Sequence, residues 1–285
     1  MKVGIGLPPH DPISLVDWAR RIEKGPFSAI GMLDRIVYHS PDPLITLAVL
    51  AGVTTRVRLQ TEVLLAPLRN TALLAKQVAS LDRLSGGRFV LGLGVGNYRG
   101  PRYDDYKVAG VDRHTRGRRL DEQVAEMRRI WKGEPYDAET DPIGPQPTRP
   151  GGPEILFGGF RPRALARIAR FGDGFLAAGP PPYVGHLMKE VYGHWRAAGR
   201  SGSPRVVAHC YVALGGEDVV DDARTTLVDY YDYTGEAGGI AEYMVTTPRD
   251  LRIAIDRYSD LGVDEVMCYC WARDAGQVER IADVL

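Results

Sequence analysis

Cysteine is scarce in this sequence: Cys210, Cys268 and Cys270 are the only three among 285 residues. A disulfide framework is therefore excluded. Cys268 and Cys270 alternate within EVMCYCW and share one face of a predicted strand. With no histidine or carboxylate closely spaced beside them, they read as small buried apolar side chains, and no metal site is expected. Net charge is also missing, since 36 basic residues balance 36 acidic ones and the pI is about 7.0. That leaves no electrostatic footprint for nucleic acid or an anionic membrane. No apolar run approaches the roughly 20 residues of a membrane span. No charged-then-apolar leader opens the chain, so a cytoplasmic protein is expected.

Present instead is an alternation of short apolar runs with longer segments of helical period. KVGIGLP, FSAIGMLD, RVRLQTEVLLAP and RFVLGLGVG read as strands one to four; PEILFGG, DGFLAAG, PRVVAHCYVALG and DEVMCYCW read as strands five to eight. The intervening helices carry their own punctuation. Ser14 is a candidate N-cap, Pro43 suits a first turn, and Gly86-Gly87 stops the third helix. In RRLDEQVAEMRRIW, Leu120, Val124, Met127 and Trp131 fall on one face. Eight strands each leading to a helix, in a chain of this length, predict a single α/β domain over 1–285: a (β/α)8 TIM barrel with inserted loops. An open doubly wound sheet is the alternative. Residues 97–114, 134–152 and 232–247 do not fit the repeat. The first follows strand four at the face where barrels keep their sites, which makes it a candidate lid. The second precedes strand five and belongs on the opposite face or the barrel exterior.

RFVLGLGVGNYRG places Gly92, Gly94 and Gly96 at every second position. A dinucleotide loop needs G-x-G-x-x-G opening a helix, and NYRGPRYDDY cannot start one. The glycines lie on one face of strand four. Gly92 is expected to make room for bulky neighbours, and Gly94 and Gly96 to admit a flat ligand at the strand end. In FGGFRPRALARIARF, Gly158-Gly159 closes strand five just before a helix begins near Pro162. Amides at a helix N-terminus, with Arg161 or Arg163, would hold a phosphate; a plain turn with solvated arginines is the alternative. Glu62 within a strand needs a partner if buried. His10, after strand one, and His39, after strand two, are candidate acid–base groups; His114 belongs to the lid or a cap, and His186, His194 and His209 read as structural.

These stretches, with LDRIVYHS, NTALLAKQVASLDRLSGG and TPRDLRIAIDRYSDLGVDEVM, resemble the bacterial luciferase-like family of flavin- and deazaflavin-dependent barrel enzymes over most of the chain. The resemblance implies an oxidoreductase or monooxygenase holding FMN, or alternatively F420, at the C-terminal mouth and acting on a small organic substrate. It places Asp34 near the ring and a non-prolyl cis peptide at Glu62-Val63 beneath it. Val95, Gly96 and Asn97 would line the ring. Gly158, Gly159, Phe160 and Arg161, joined by Ala178 and Gly179, would bind the phosphate. Arg35 stands where many relatives have histidine, and Asn97 where a sugar-phosphate-oxidising subgroup has glutamate, so those two roles do not carry over. Asp34, Arg35 and His10 are the catalytic candidates, Arg35 as a permanent cation beside a reduced cofactor or paired to Asp34 or a surface carboxylate. FMN, the family's broader default, would be reduced by a separate NAD(P)H-dependent flavin reductase, whereas F420 needs no oxygen. A homodimer is expected, with neither nucleic acid nor membrane as partner. Two other classes compete: a non-catalytic flavin-binding protein, and an unrelated phosphate-binding isomerase or aldolase, against which stands the lack of lysine at any strand end.

Overall fold

A computed structural model describes residues 1–9, 12–96 and 104–285. Its described strands are β1 (Lys2–Gly6), β2 (Ala29–Met32), β3 (Arg58–Thr61), β4 (Leu64–Leu65), β5 (Phe89–Gly94), β6 (Glu154–Gly158), β7 (Gly174–Ala178), β8 (Arg205–Val212) and β9 (Glu265–Cys270). Every pairing between them is parallel, in the order β3-β2-β1-β9-β8-β7-β6-β5-β4, and a β3–β5 pairing closes the ring. β3 and β4 occupy one barrel position, so the nine segments make the eight-position barrel expected. Gln60 pairs with Val90 and Leu64 with Leu93, so four residue steps on this position run beside three on β5. The extra residue is a bulge. It turns Glu62 and Val63, neighbours in sequence, toward the same interior, and the bond between them is cis.

The helices are α1 (Pro12–Lys24), α2 (Pro43–Val53), α3 (Thr71–Leu84), α4 (Asp105–Val108), α5 (Arg116–Trp131), α6 (Pro162–Phe171), α7 (Pro181–Ala197), α8 (Glu217–Tyr231), α9 (Ala237–Ala241), α10 (Pro248–Asp260) and α11 (Gln277–Ala282). Among the described residues no helix is long and apolar enough to cross a membrane. α1 starts at Pro12, two residues before Ser14, so Ser14 sits inside the first turn and is not the N-cap. The fixed φ of proline suits a first helical position and sets the earlier start. Asp42 caps α2 by accepting from the Leu44 and Ile45 amides at 2.9 and 3.0 Å.

Strand alternation divides the core in two. Outward residues, Phe89, Leu91, Leu93, Phe157, Phe175, Cys268 and Cys270 among them, pack against the helices; Leu120, Val124, Met127 and Trp131 of α5 complete that layer. Inward residues, Val90, Leu156, Leu176, Val207, Met267, Tyr269 and Trp271, fill the barrel lumen. All three cysteines are buried and free. The N-terminal end is plugged by ions: Glu154 meets Arg58 and Arg205, and Arg205 also meets Glu265. Burial works against the Glu154 charge, but the two arginines outweigh it and hold the carboxyl below its ordinary value.

The irregular segments find different places. Residues 134–152 lie outside the barrel, as expected: Lys76 of α3 donates to the Gly144 carbonyl at 2.9 Å, and Thr148 donates to Asp82 at 2.6 Å. Residues 232–247 extend the mouth, with α9 followed by Val245, whose amide donates to the Tyr211 carbonyl at 2.8 Å. Of the expected lid, residues 104–114 form α4 and lead into the 3-10 turn Arg113–Thr115; the remainder lies outside the described residues.

Two alanine substitutions separate packing from propensity. A Cβ on Gly92 would collide with the Thr61 carbonyl oxygen, part of a backbone held by the Thr61 hydroxyl on Gly92. Gly92→Ala should therefore cost about 1–3 kcal/mol. Gly52 in α2 has nothing within 4 Å of such a Cβ, so Gly52→Ala should gain about 0.5–1 kcal/mol. Denaturant unfolding of both variants checks the pair; a neutral Gly92→Ala would contradict the packing described.

Candidate functional site

The C-terminal ends of the strands surround a cavity of about 1820 Å³. Asp34 and Arg35 after β2, Glu62 and Val63 at the bulge, and Val95 and Gly96 after β5 all line it. So do Gly158, Gly159, Phe160 and Arg161 after β6, and Ala178 and Gly179 at the end of β7. The residues singled out from sequence thus converge on one space. His10 and Asn97 lie outside the described residues. His39 is exposed and is not part of the lining.

Val63 stands at the centre of the floor. A Cβ at Gly94 would overlap its Cγ2, and one at Gly158 would come within 2.9 Å of its Cγ1. This corrects the expectation for Gly94: the space its missing side chain leaves is taken by Val63, not by a ligand. Gly92 likewise yields to Thr61 and Leu176, as expected. Gly96 has a left-handed backbone (φ 64°), which turns the chain away from the strand end.

Beside Val63, the Glu62 carboxylate is fully buried and packs where Gly31 leaves room, 2.7 Å from the position of a Cβ there. Gln60 Nε2 donates to Glu62 Oε1, and Glu62 Oε2 lies 3.1 Å from His209 Nε2. His209 was expected to be structural; the barrel instead brings it to the cavity, with 9% of its side chain exposed. The signal available in sequence was parity. In RVVAHCYV, His209 shares its face with Val207 and Tyr211, and that face is the lumen.

Asp34 is fully engaged. Its Oδ2 accepts from the Leu65 amide at 2.8 Å and Arg69 Nη1 at 2.6 Å, and its Oδ1 accepts from Arg69 Nη2 at 3.1 Å. Burial pushes the Asp34 carboxyl upward, opposed by Arg69. Arg69 is itself partly desolvated, yet Asp34 and Asp42 raise its guanidinium above the ordinary value. In this arrangement Asp34 orders the loop after β4 rather than offering a free carboxylate. Arg35 meets a buried carboxylate from another element. Its Nε donates to buried Asp105 of α4 at 2.9 Å, and its guanidinium lies over the Tyr233 ring, 4.1 Å from the centroid. Asp105 Oδ1 also accepts from the Ile36 and Val37 amides at 2.9 and 2.7 Å, clamping α4 to the end of β2.

The remaining walls differ in chemistry. α6 begins at Pro162 with no side-chain cap and no acidic residue in its first turn, and Gly159 touches it so closely that a Cβ would meet Ala164. Arg116, Arg118, Arg161, Arg163, Arg167 and Arg170 line this side of the cavity together with Asp121, which pairs with Arg167, while Arg118 pairs with Glu122. Across from it, Tyr211, Tyr230, Tyr231 and Tyr233 form an aromatic wall backed by Trp271, with the Tyr211 hydroxyl 2.9 Å from that of Tyr231. Burial pushes the Tyr211 phenol up to about 12, the Tyr231 hydroxyl acting against it, so the hydroxyl stays protonated at neutral pH. Among the described residues no cluster of histidine, cysteine and carboxylates could hold a metal ion.

The fold is thus a parallel barrel with an uncapped, arginine-flanked helix start beside a broad mouth cavity. Residues 2–265 match the family model for luciferase-like monooxygenases, and the chain belongs to that family. An uncharacterized protein of Mycobacterium tuberculosis is 33% identical over 174 residues, covering 59% of this chain and 60% of the relative's length. An F420-dependent secondary alcohol dehydrogenase, solved with an F420-acetone adduct, shares the fold with a TM-score of 0.84 at 18% identity, over 100% of this chain and 98% of that one. The oxygenating constituent of 3,6-diketocamphane monooxygenase from Pseudomonas putida, solved with FMN, has a TM-score of 0.76 at 15% identity, over 99% and 95%.

The Asp34–Arg69 pair gives a direct test. Arg69→Met leaves a buried carboxylate without its counter-ion and should cost about 3–5 kcal/mol at pH 7. With its pull removed, the folded Asp34 pKa rises further above the unfolded value, so the loss shrinks as pH falls and the carboxyl takes a proton. Unfolding midpoints at pH 7 and pH 4.5 check this; a loss equal at both values would contradict it.

Proposed function

We propose that the chain is an oxidoreductase that binds a flavin-type cofactor at the cavity, with F420 favoured over FMN, and acts on a small organic substrate. The observation that carries the choice is the cationic wall: six arginines, of which Arg167 is paired with Asp121 and Arg118 with Glu122, running from the α6 start along α5 and α6. An FMN tail ends in a single phosphate, which the Gly158–Arg161 turn would satisfy. The F420 tail continues into a lactyl-glutamate chain of several carboxylates, for which that turn alone is too small and the further arginines are suited.

The residues present fit such a group. The amides at Gly159 and the α6 start, with Arg161 and Arg163, would hold the phosphate; Val63 in its glycine seat offers an apolar support for a ring system; Arg35 is a buried cation in the same lining. The cofactor, when bound, supplies hydride acceptance or donation. This chain supplies the anion site, the ring support and a largely apolar, aromatic enclosure. On the F420 reading neither oxygen nor a flavin reductase is required.

Fluorescence titration tests the choice. F420 should bind at low micromolar concentration, more weakly as salt rises through the screening range, and FMN at least tenfold more weakly. Arg161→Gln combined with Arg163→Gln, both at exposed positions, should raise the F420 Kd about tenfold while leaving the unfolding midpoint unchanged. FMN binding more tightly than F420 would overturn the assignment.

We also propose a homodimer through α2. That helix is apolar on all sides, yet Ile45 and Val49, one turn apart on its outer face, are 68% and 53% exposed. A helix apolar all round calls for burial on every face. Light scattering should give twice the 31.4 kDa chain mass, and Ile45→Glu with Val49→Glu should return the chain mass itself. Wild-type protein at chain mass in the micromolar range would refute this.

A further inference from the structure

The cavity is not confined to the barrel lumen. Along β8, residues facing the lumen alternate with residues facing the helices, and Cys210 belongs to the outer set. Cys210 nonetheless lines the cavity, together with Ile253, Ala254, Arg257 and Tyr258 of α10. Those α10 residues are three and four apart and share one side of the helix. The space therefore passes over the barrel wall into a side branch, bordered by α10 and by Tyr183 in the first turn of α7. The branch is held in shape by hydrogen bonds and packing. The Tyr258 hydroxyl donates toward the Gly179 carbonyl at 2.8 Å and the His209 carbonyl at 3.2 Å, tying α10 to β7 and β8. A Cβ at Gly185 of α7 would come within 3.0 Å of Leu261, so α7 and the end of α10 are in direct contact.

Two features of this branch say what would fill it. The first is an open aromatic pair. Phe160 and Tyr183 line the cavity at 53% and 42% exposure, with ring centroids 6.3 Å apart and ring planes inclined by only 20°. Ile253, across from them on α10, is exposed as well. Large apolar side chains left open together at a cavity mark a binding surface. Near-parallel rings gain more from a flat aromatic partner than from an aliphatic chain. The second feature is charge. Arg257 is exposed and forms no ion pair among the described residues. Asp250, about 10 Å away on the same side of the helix, is occupied as part of the α10 cap, accepting from the Thr247 hydroxyl at 2.7 Å. We infer that the branch is a second binding site, for an aromatic carboxylate. Its ring system lies against Phe160, Tyr183 and Ile253, and its carboxylate pairs with Arg257, whose planar fork matches two carboxylate oxygens. The arginines of α5 and α6 take no part, and the inference does not rest on the cofactor. An occupant sits beside the mouth, outside the lumen and clear of the Val63 floor.

Titration of the full chain, without cofactor, with three probes tests this. They are 2-naphthoate, neutral 2-naphthol and aliphatic octanoate, followed by naphthyl fluorescence or by calorimetry. 2-Naphthoate should bind at about 10–100 μM, and the other two at least about tenfold more weakly. Arg257→Gln, at an exposed position, should raise the naphthoate Kd about tenfold, leave the naphthol Kd within twofold and leave the unfolding midpoint unchanged. Phe160→Ala, also at an exposed position, should weaken naphthoate and naphthol alike, by about threefold to tenfold. The α6 start is the competing location, and Arg161→Gln with Arg163→Gln reads it directly: the naphthoate Kd should stay within about twofold. Absence of naphthoate binding at millimolar concentration overturns the site. Octanoate or naphthol binding as tightly as naphthoate overturns the ligand class. A naphthoate Kd that rises in the Arg161 and Arg163 double variant and not in Arg257→Gln places the anion at α6 and overturns the assignment.

Discussion

Inside the barrel, glycines on β1, β2, β5 and β6 face bulky side chains from neighbouring strands, and each such pairing leaves no space for a further carbon. Gly4 admits Met267, Gly6 admits Tyr269, Gly31 admits Glu62, and Gly94 and Gly158 together admit Val63. Interiors are packed to crystal density, so these are steric constraints on which residue can stand where. They also divide the lumen by height. Near the N-terminal end Met267, Val207 and Val90 fill it, and nearer the mouth Glu62, Val63 and His209 form the buried floor of the cavity. By this packing the glycines set how far the residues that could touch a ligand project into the cavity.

The bulge at the β3–β4 position works with this packing. A regular strand would send Glu62 and Val63 to opposite faces. With one extra residue against β5, both point inward, the apolar one into a glycine seat and the charged one toward His209. The loop beyond is then tied down by Asp34 and Arg69, while Arg35 and Asp105 clamp α4 across the neighbouring strand end. Both ion pairs are largely buried, a costly arrangement unless the hydrogen bonding is complete. For Asp34 it is, with both oxygens occupied. Such pairs make the mouth rigid where position matters and leave the arginine side of the cavity open.

Much of the fold was legible because strand parity and helix caps are local. The 3.6-residue period of Leu120, Val124, Met127 and Trp131, the stop at Gly86-Gly87 and the proline starts at Pro43 and Pro162 all mark elements where the structure has them. Likewise, the residues read as site candidates that fall among those described line one cavity, with His39 the exception. What sequence could not show was which neighbour fills which space. Gly94 looked like room for a ligand because nothing local says that Val63, thirty-one positions earlier, arrives there. His209 looked structural because its partner, Glu62, is brought to it only by closure of the barrel. Arg35 was weighed against Asp34 next to it in sequence, whereas its carboxylate comes from α4, beyond a long connection. Long-range pairing, not propensity, decided each of these.

A crystal structure of the protein soaked with F420 tests the central claim most directly, that the lumen packing and the arginine wall together form a site for a deazaflavin with an anionic tail. The account predicts phosphate density at the Gly159 to Arg163 helix start, tail density running along Arg116, Arg118, Arg167 and Arg170, and the ring seated on Val63 with His209 and Glu62 unmoved. A phosphate bound elsewhere, or a ring that displaces Val63 from its seat between Gly94 and Gly158, would contradict it.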